Sequence, residues 1–260
     1  MSARNSALKL WACKSFLACA AVAGFAGTAH AENHALIMWI GDYAQAENNL
    51  PGIDKDAALA RQIAARMGVA QGNIIEMKNR ELSLDGMKRG ISQLAGRIQS
   101  GDRVFIYYSG HGAQIDNTGG KCSEGMVSHD GRLYFDKELE GDLDRLAAKA
   151  SQVVMFNDSC FSGGAATEND TKSLNGQVAK VYKGKITSGG GGEGYQCGDA
   201  INKMTRNLKD ATNRRGSQMV YLAASSEREV SYASSAGSLG RWPGLRACGP
   251  PRQIPTAMGC

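Results

Sequence analysis

Between Ala35 and Phe156 short apolar runs alternate with helix-spaced patterns, and this alternation limits the fold more than any other feature. Ala35 to Ile40 (ALIMWI) is a continuous apolar run that stops at Gly41, short enough for a strand buried on both faces. After Pro51-Gly52, the residues Ile53, Ala57, Ala60, Ile63, Ala64 and Met67 recur at helical spacing, and Gly68 closes the pattern. Asn73 to Met77 predicts a second strand. Met87, Ile91, Leu94 and Ile98 predict a second helix with Ser83 as its N-cap. Arg103 to Tyr108 (RVFIYY) predicts a third strand, rich in β-formers. Leu139, Leu143, Leu146 and Ala150 mark a third helix, Gln152 to Phe156 a fourth strand, and Met219 to Ala224 a fifth. Strands and helices in turn are the pattern of a parallel sheet with helices on its faces. The expected class is α/β.

At 260 residues the chain has room for a sizeable core, and 42% hydrophobic with 21% charged residues argues against wholesale disorder. Its first 31 residues read as a secretory signal. Arg4, Lys9 and Lys14 lead, Ser15 to Ala26 is small and apolar, and Ala29-His30-Ala31 places a cut before Glu32. The apolar run is too short to span a bilayer, which takes about 20 residues. The expectation is an exported chain, periplasmic or extracellular, with no membrane attachment after the signal is removed. The 30 Lys and Arg against 25 Asp and Glu, less the three basic residues of the signal, leave a net charge of +2. That is a poor match to a phosphate backbone, so nucleic acid is not an expected partner. Removing Cys13 and Cys19 with the signal leaves five cysteines. An odd count in an oxidising compartment leaves at least one thiol unpaired or shared with another molecule.

The third strand runs into Tyr107-Tyr108-Ser109-Gly110-His111-Gly112, and the fourth into Asn157-Asp158-Ser159-Cys160-Phe161-Ser162-Gly163-Gly164. One His and one Cys thus follow the carboxyl ends of two parallel strands, the edge where open α/β sheets bind ligands. A neighbouring imidazole favours the thiolate that attacks a carbonyl, and the flanking glycines let a substrate backbone approach and N–H groups point at an oxyanion. Alone, either residue reads as structural. Together at two strand ends, among glycines, they read as a nucleophile and its base, and they account for the unpaired thiol.

YYSGHG (107–112) and DSCFSGG (158–164) resemble the two catalytic motifs of the caspase-like cysteine peptidases, specifically the metacaspase branch. His111 and Cys160 lie 49 positions apart, against about 50 in caspases. Leu50 to Ala57 (LPGIDKDA) resembles the family's early L-x-G-C-x-N-D-A segment, with Ile53 where Cys is usual. The similarity runs well over residues 35–160 and more loosely over 217–236. It implies a caspase-like sandwich, a mostly parallel central sheet with helices on both faces, and a cysteine endopeptidase acting on peptide or protein substrates. His111 would be the general base and Cys160 the nucleophile, with the backbone N–H groups of Gly112 and Cys160 as the oxyanion hole. The acidic pocket that holds Arg or Lys before the scissile bond would be Asp56 and Asp158, with Ser109 as its third polar wall. Two carboxylates hold a guanidinium or ammonium group and reject an acidic side chain. The structural readings are a loop-capping acid for Asp158 and a helix N-terminal acid for Asp56.

The expected organisation is a signal at 1–31, a catalytic core at 32–161, a Gly-rich inter-subunit linker or loop at 162–216, the remainder of the domain at 217–240, and an atypical tail at 241–260. The linker holds Gly189 to Gly192, a helical pattern at Ile201 to Leu208, and no apolar run of strand quality. Under the resemblance, Lys172, Lys180, Lys183, Lys185, Arg214 and Arg215 are candidate self-processing sites; the other reading is an uncut surface loop. Export would allow Cys122 and Cys197 to be joined, a pairing that spacing does not establish. The tail RWPGLRACGPPRQIPTAMGC matches neither strand nor helix. It keeps a second class of function open, a caspase-like fold retained as a catalytically impaired binding or regulatory module. Ser159 and Ser162 lack the G-x-S-x-G elbow of a serine hydrolase. Many metacaspases need calcium, but Asp136, Glu138, Glu140, Asp142 and Asp144 point to several faces of a helix and read as a solvated surface. With no EF-hand or zinc spacing present, no metal or other cofactor is assigned.

Overall fold

The computed structural model describes residues 30–117, 121–160, 176–184, 186, 195–196, 216–224 and 231–238. The expected signal except its last two residues, Lys172, Lys185, Arg214, Arg215, the helical pattern at 201–208, Cys197, the side chain of Cys122 and the tail at 241–260 lie outside the described residues. In chain order the elements are β1 (Asn33–Trp39), α1 (Ile53–Arg66), β2 (Ile74–Lys78), α2 (Leu84–Arg97), β3 (Arg103–Ser109), β4 (Gly112–Asn117), β5 (Lys121–Val127) and β6 (Leu133–Phe135). Then follow α3 (Asp136–Ala147), β7 (Gln152–Asp158), β8 (Gln177–Ala179), β9 (Tyr195–Gln196), β10 (Gln218–Ala223), β11 (Tyr232–Ser234) and β12 (Gly237–Ser238).

Among the described residues five strands form the central sheet in the order β10-β7-β3-β1-β2, with every neighbouring pair parallel. Period-2 alternation divides each strand between two cores. On β1, Ala35 and Ile37 pack with Ala57, Ala60 and Ala64 of α1. Leu36 and Met38 face the other way, into a core shared with Met87, Ile91 and Leu94 of α2 and Leu139, Leu143 and Leu146 of α3. On β3, Phe105 and Tyr107 join the first core, while Val104, Ile106 and Tyr108 join the second. Burial on both faces is why these strands read as unbroken apolar runs. The fold is α/β, a parallel central sheet with helices on both faces. The predicted cap of α2 is present, as Ser83 Oγ accepts from the Gly86 N–H at 3.1 Å.

Two smaller sheets have no counterpart in the sequence pattern. One is antiparallel, β4-β5-β6, with β9 added to β5. The other is antiparallel β12-β11-β8. Its β8 lies in 162–216, where the sequence shows no apolar run of strand quality. Gln177-Val178-Ala179 is three residues long and held by the β11 ladder, too short to show any period.

The acids of α3 also depart from expectation. Asp136 and Asp142 are buried rather than solvated, and Asp142 accepts from the Tyr134 hydroxyl and the Arg145 guanidinium. Glu138 pairs with Lys88 at 3.0 Å. Among the described residues no group of three or more His, Cys, Asp or Glu side chains is placed to hold a metal ion. No described helix is long and apolar enough to cross a membrane.

Ile106 lies fully buried on the middle strand of the sheet. Its truncation in Ile106→Ala is expected to lower stability by about 2–5 kcal/mol through lost burial and an unfilled cavity. Urea unfolding checks this: the midpoint falls and the slope stays unchanged.

Candidate active site

The strand register brings Trp39, Ser109 and Asp158 into one row at the carboxyl edge of β1, β3 and β7. The loops after β3 and β7 therefore leave the sheet side by side. Gly112 is where they meet: a Cβ there would run into the carbonyl of Cys160, so only glycine permits the approach.

His111 is buried and held at three points. Its backbone N–H donates to the Tyr43 hydroxyl at 2.7 Å, its carbonyl accepts from the Tyr108 hydroxyl at 3.0 Å, and its Nε2 lies 2.8 Å from the carbonyl oxygen of Asn48. A carbonyl only accepts, so Nε2 carries the proton and Nδ1 keeps a lone pair. Nδ1 has no hydrogen-bond partner among the described residues. Cys160, also buried, is a free thiol. Its Sγ accepts from the Ser231 N–H at 3.0 Å and donates to the Ser231 carbonyl at 3.2 Å.

Burial pushes the Cys160 thiol up to about 11, with backbone hydrogen bonding and the nearby Lys180 charge opposing. Burial likewise pushes His111 down to about 4, against the opposing pull of backbone contacts with Asn48 and Lys180. At neutral pH the pair thus stands as a thiol and a neutral imidazole.

Asp56, Ser109 and Asp158 converge on one group, the ammonium of Lys180. Asp56 comes from the first turn of α1, Ser109 from the end of β3 and Asp158 from the end of β7. Lys180 is fully buried. Its Nζ lies 2.9 Å from Asp158 Oδ1 and 3.7 Å from Asp56 Oδ2, and donates to Ser109 Oγ at 3.0 Å and the Asp158 carbonyl at 2.9 Å. The two carboxylates are held in turn. Asp56 accepts from the Ser109 hydroxyl at 3.1 Å, the Ser238 N–H at 2.7 Å and the Ser238 hydroxyl. Asp158 accepts from the Tyr107 hydroxyl at 3.1 Å.

The Lys180 backbone is bound as closely as its side chain. Residues 177–179 run antiparallel to β11, pairing Gln177 with Ser234, Val178 with Ala233 and Ala179 with Tyr232. The Lys180 N–H then donates to the Ser231 carbonyl at 2.9 Å, and its carbonyl accepts from the Gly112 N–H at 3.2 Å. This is a strand added to a sheet edge, with one side chain in a charged pocket and the next carbonyl on a backbone donor.

All six residues singled out by the sequence, Asp56, Ser109, His111, Gly112, Asp158 and Cys160, therefore lie at one locus. Lys180 was legible only as one of six candidate processing sites among the nine basic residues of 162–216. Tyr43, Asn48, Ser231 and Ser238 were missed. None stands in a motif, and each acts through a partner far along the chain.

A thiol held near 11 leaves about 200-fold less thiolate at pH 8 than an ordinary one near 8.5. In the uncut chain, iodoacetamide labelling of Cys160, read by peptide mass spectrometry, should be slower than that of free cysteine by about this factor. The rate should keep rising tenfold per pH unit past pH 9, where an ordinary thiol levels off.

A family model described as the caspase domain matches residues 32–239. Metacaspase-6 of Arabidopsis thaliana is 29% identical over 162 residues, covering 57% of this chain and 42% of the relative. Metacaspase-1 of Schizosaccharomyces pombe is 27% identical over 211 residues, covering 72% of this chain and 48% of the relative. The chain thus spans under half the length of these relatives. A crystal structure of a Geobacter sulfurreducens protein shares the fold, with a TM-score of 0.56 at 16% identity over 80% of this chain and 78% of that one.

Proposed function

We propose, since the chain belongs to the caspase-domain family of cysteine peptidases, that it is an endopeptidase cutting after Lys or Arg, and that its own Lys180–Val181 bond is its first substrate. One observation carries this reading. The Lys180 ammonium fills the pocket of Asp56, Ser109 and Asp158 while its own carbonyl rests on the Gly112 N–H beside Cys160.

The chemistry follows from the same contacts. His111 Nδ1 takes the proton of Cys160, and the thiolate attacks the carbonyl carbon of residue 180. The charge that develops on that oxygen is met by the N–H groups of Gly112 and Cys160. The C–N bond to Val181 breaks, the leaving nitrogen takes the proton from His111, and Lys180 remains as a thioester on Cys160. Water then attacks the thioester, giving its proton to His111, and the Lys180 carboxylate leaves as the thiol is restored. Asn48 keeps Nε2 protonated throughout, so Nδ1 is the nitrogen that cycles. Substrates in trans would enter the cleft once the 177–183 segment has been cut and displaced.

The test is incubation of the full chain with and without calcium, followed by gel analysis and N-terminal sequencing. A new terminus reading Val-Tyr-Lys-Gly is expected; Lys180→Arg keeps it, while Lys180→Gln and Cys160→Ala remove it. Against fluorogenic peptides, turnover after Arg or Lys is expected to exceed turnover after Asp, and Asp158→Asn to lower kcat/KM by about a hundred-fold, as when a buried charge pair is broken. Cleavage after Asp would overturn the pocket assignment. A folded chain that cuts nothing would favour the binding module.

A further inference from the structure

Beyond the bond at Lys180, the chain enters a second pocket that none of the catalytic steps uses. Val181 bridges Gly112 in the parallel sense, which turns the next side chain, Tyr182, back into the protein. Tyr182 is only 7% exposed. Its ring meets His111 edge-on at 5.8 Å and lies 5.9 Å from the ring of Tyr43, tilted by 58°. Its hydroxyl donates to Gln45 Oε1 at 2.5 Å. The far wall is Gly131, at φ +73°, where a Cβ would collide with that hydroxyl. The main chain is then gripped once more, as the Lys183 N–H donates to Asn48 Oδ1 at 2.7 Å. Asn48 therefore reads the backbone downstream of the bond with its side chain while its carbonyl orients His111.

Three features make this a recognition site rather than general packing. Its walls come from the loop after β1, the β5–β6 turn and the loop after β3, all outside the strand being held. The cavity ends at a polar acceptor placed for a phenol hydroxyl. A glycine without a side chain leaves the room that the hydroxyl occupies. We propose that it is a subsite for a tyrosine side chain two residues downstream of the cut bond, serving the chain's own segment first and protein substrates afterwards. The inference rests on the peptidase reading above and adds a second determinant of specificity to the basic residue before the bond. An aromatic ring buried against two others favours Tyr and Phe over Ala, and the Gln45 acceptor favours Tyr over Phe.

Internally quenched peptides on the chain's own sequence, Gln-Val-Ala-Lys-Val-Tyr-Lys-Gly, test this with the self-cleaved full chain, the Tyr being replaced in turn by Phe and Ala. The expected order of kcat/KM is Tyr, Phe, Ala, with Tyr about 10- to 100-fold above Ala and a few-fold above Phe. Gln45→Ala should bring the Tyr peptide down to the Phe peptide, and Gln45→Glu, which keeps an acceptor, should restore the difference. Equal rates on all three peptides would overturn the subsite and leave the peptidase standing. A Gln45→Ala variant that slows all three alike would also overturn it, since that is the mark of a structural role. Failure to cut any of them after Lys would overturn both readings.

Discussion

The ammonium of Lys180 lies sealed from solvent between the carboxylates of Asp56 and Asp158, and four separate stretches of chain are positioned by that contact. The first turn of α1 supplies Asp56, the ends of β3 and β7 supply Ser109 and Asp158, and the β11–β12 hairpin supplies Ser231 and Ser238. Taking three charges out of water costs several kcal/mol per ion. The cost is offset because each carboxylate also accepts hydroxyl or amide donors: Tyr107 on Asp158, Ser109 and Ser238 on Asp56. Removing one member would leave uncompensated charge in a dry site, a loss of about 3–5 kcal/mol. The segment around residue 180 is therefore held firmly in the uncleaved domain.

The same contact sets the resting chemistry. With the 177–183 segment in place, Cys160 and His111 are enclosed, and burial drives both toward their neutral forms. An enclosed neutral thiol is protected from solution oxidants and electrophiles. Loss of the segment would admit water, weaken the desolvation that raises the thiol, and favour the thiolate. Occupancy of the cleft and reactivity of Cys160 are thus coupled, burial raising the thiol against the opposing Lys180 charge and backbone hydrogen bonds.

Much of the fold was legible because of how it is buried. A strand covered on both faces must be apolar throughout, so β1, β3 and β7 announce themselves; helices covered on one face show a 3.6-residue period, so α1, α2 and α3 do too. The smaller strands carry no such signal. β5 reads KCSEGMV, and β8 is only three residues long, too short to show a period. Asp142 of α3 looked like surface charge because a buried carboxylate satisfied by Tyr134 and Arg145 has the same letter as a solvated one.

Sequence by itself determined the α/β class and picked out the two glycine-bearing loops, with His111, Cys160, Asp56, Asp158 and Ser109 as candidate site residues, since local periodicity and motif chemistry are properties of neighbouring residues. Tertiary structure decided which of the six candidate basic residues enters the acidic pocket, which nitrogen of His111 meets the Asn48 carbonyl, and what receives Tyr182. Those outcomes depend on pairings across 124 positions from Asp56 to Lys180, 63 from Asn48 to His111 and 137 from Gln45 to Tyr182. No local pattern encodes contacts at such separations; the folded sheet edge and the hairpin beside it bring them together.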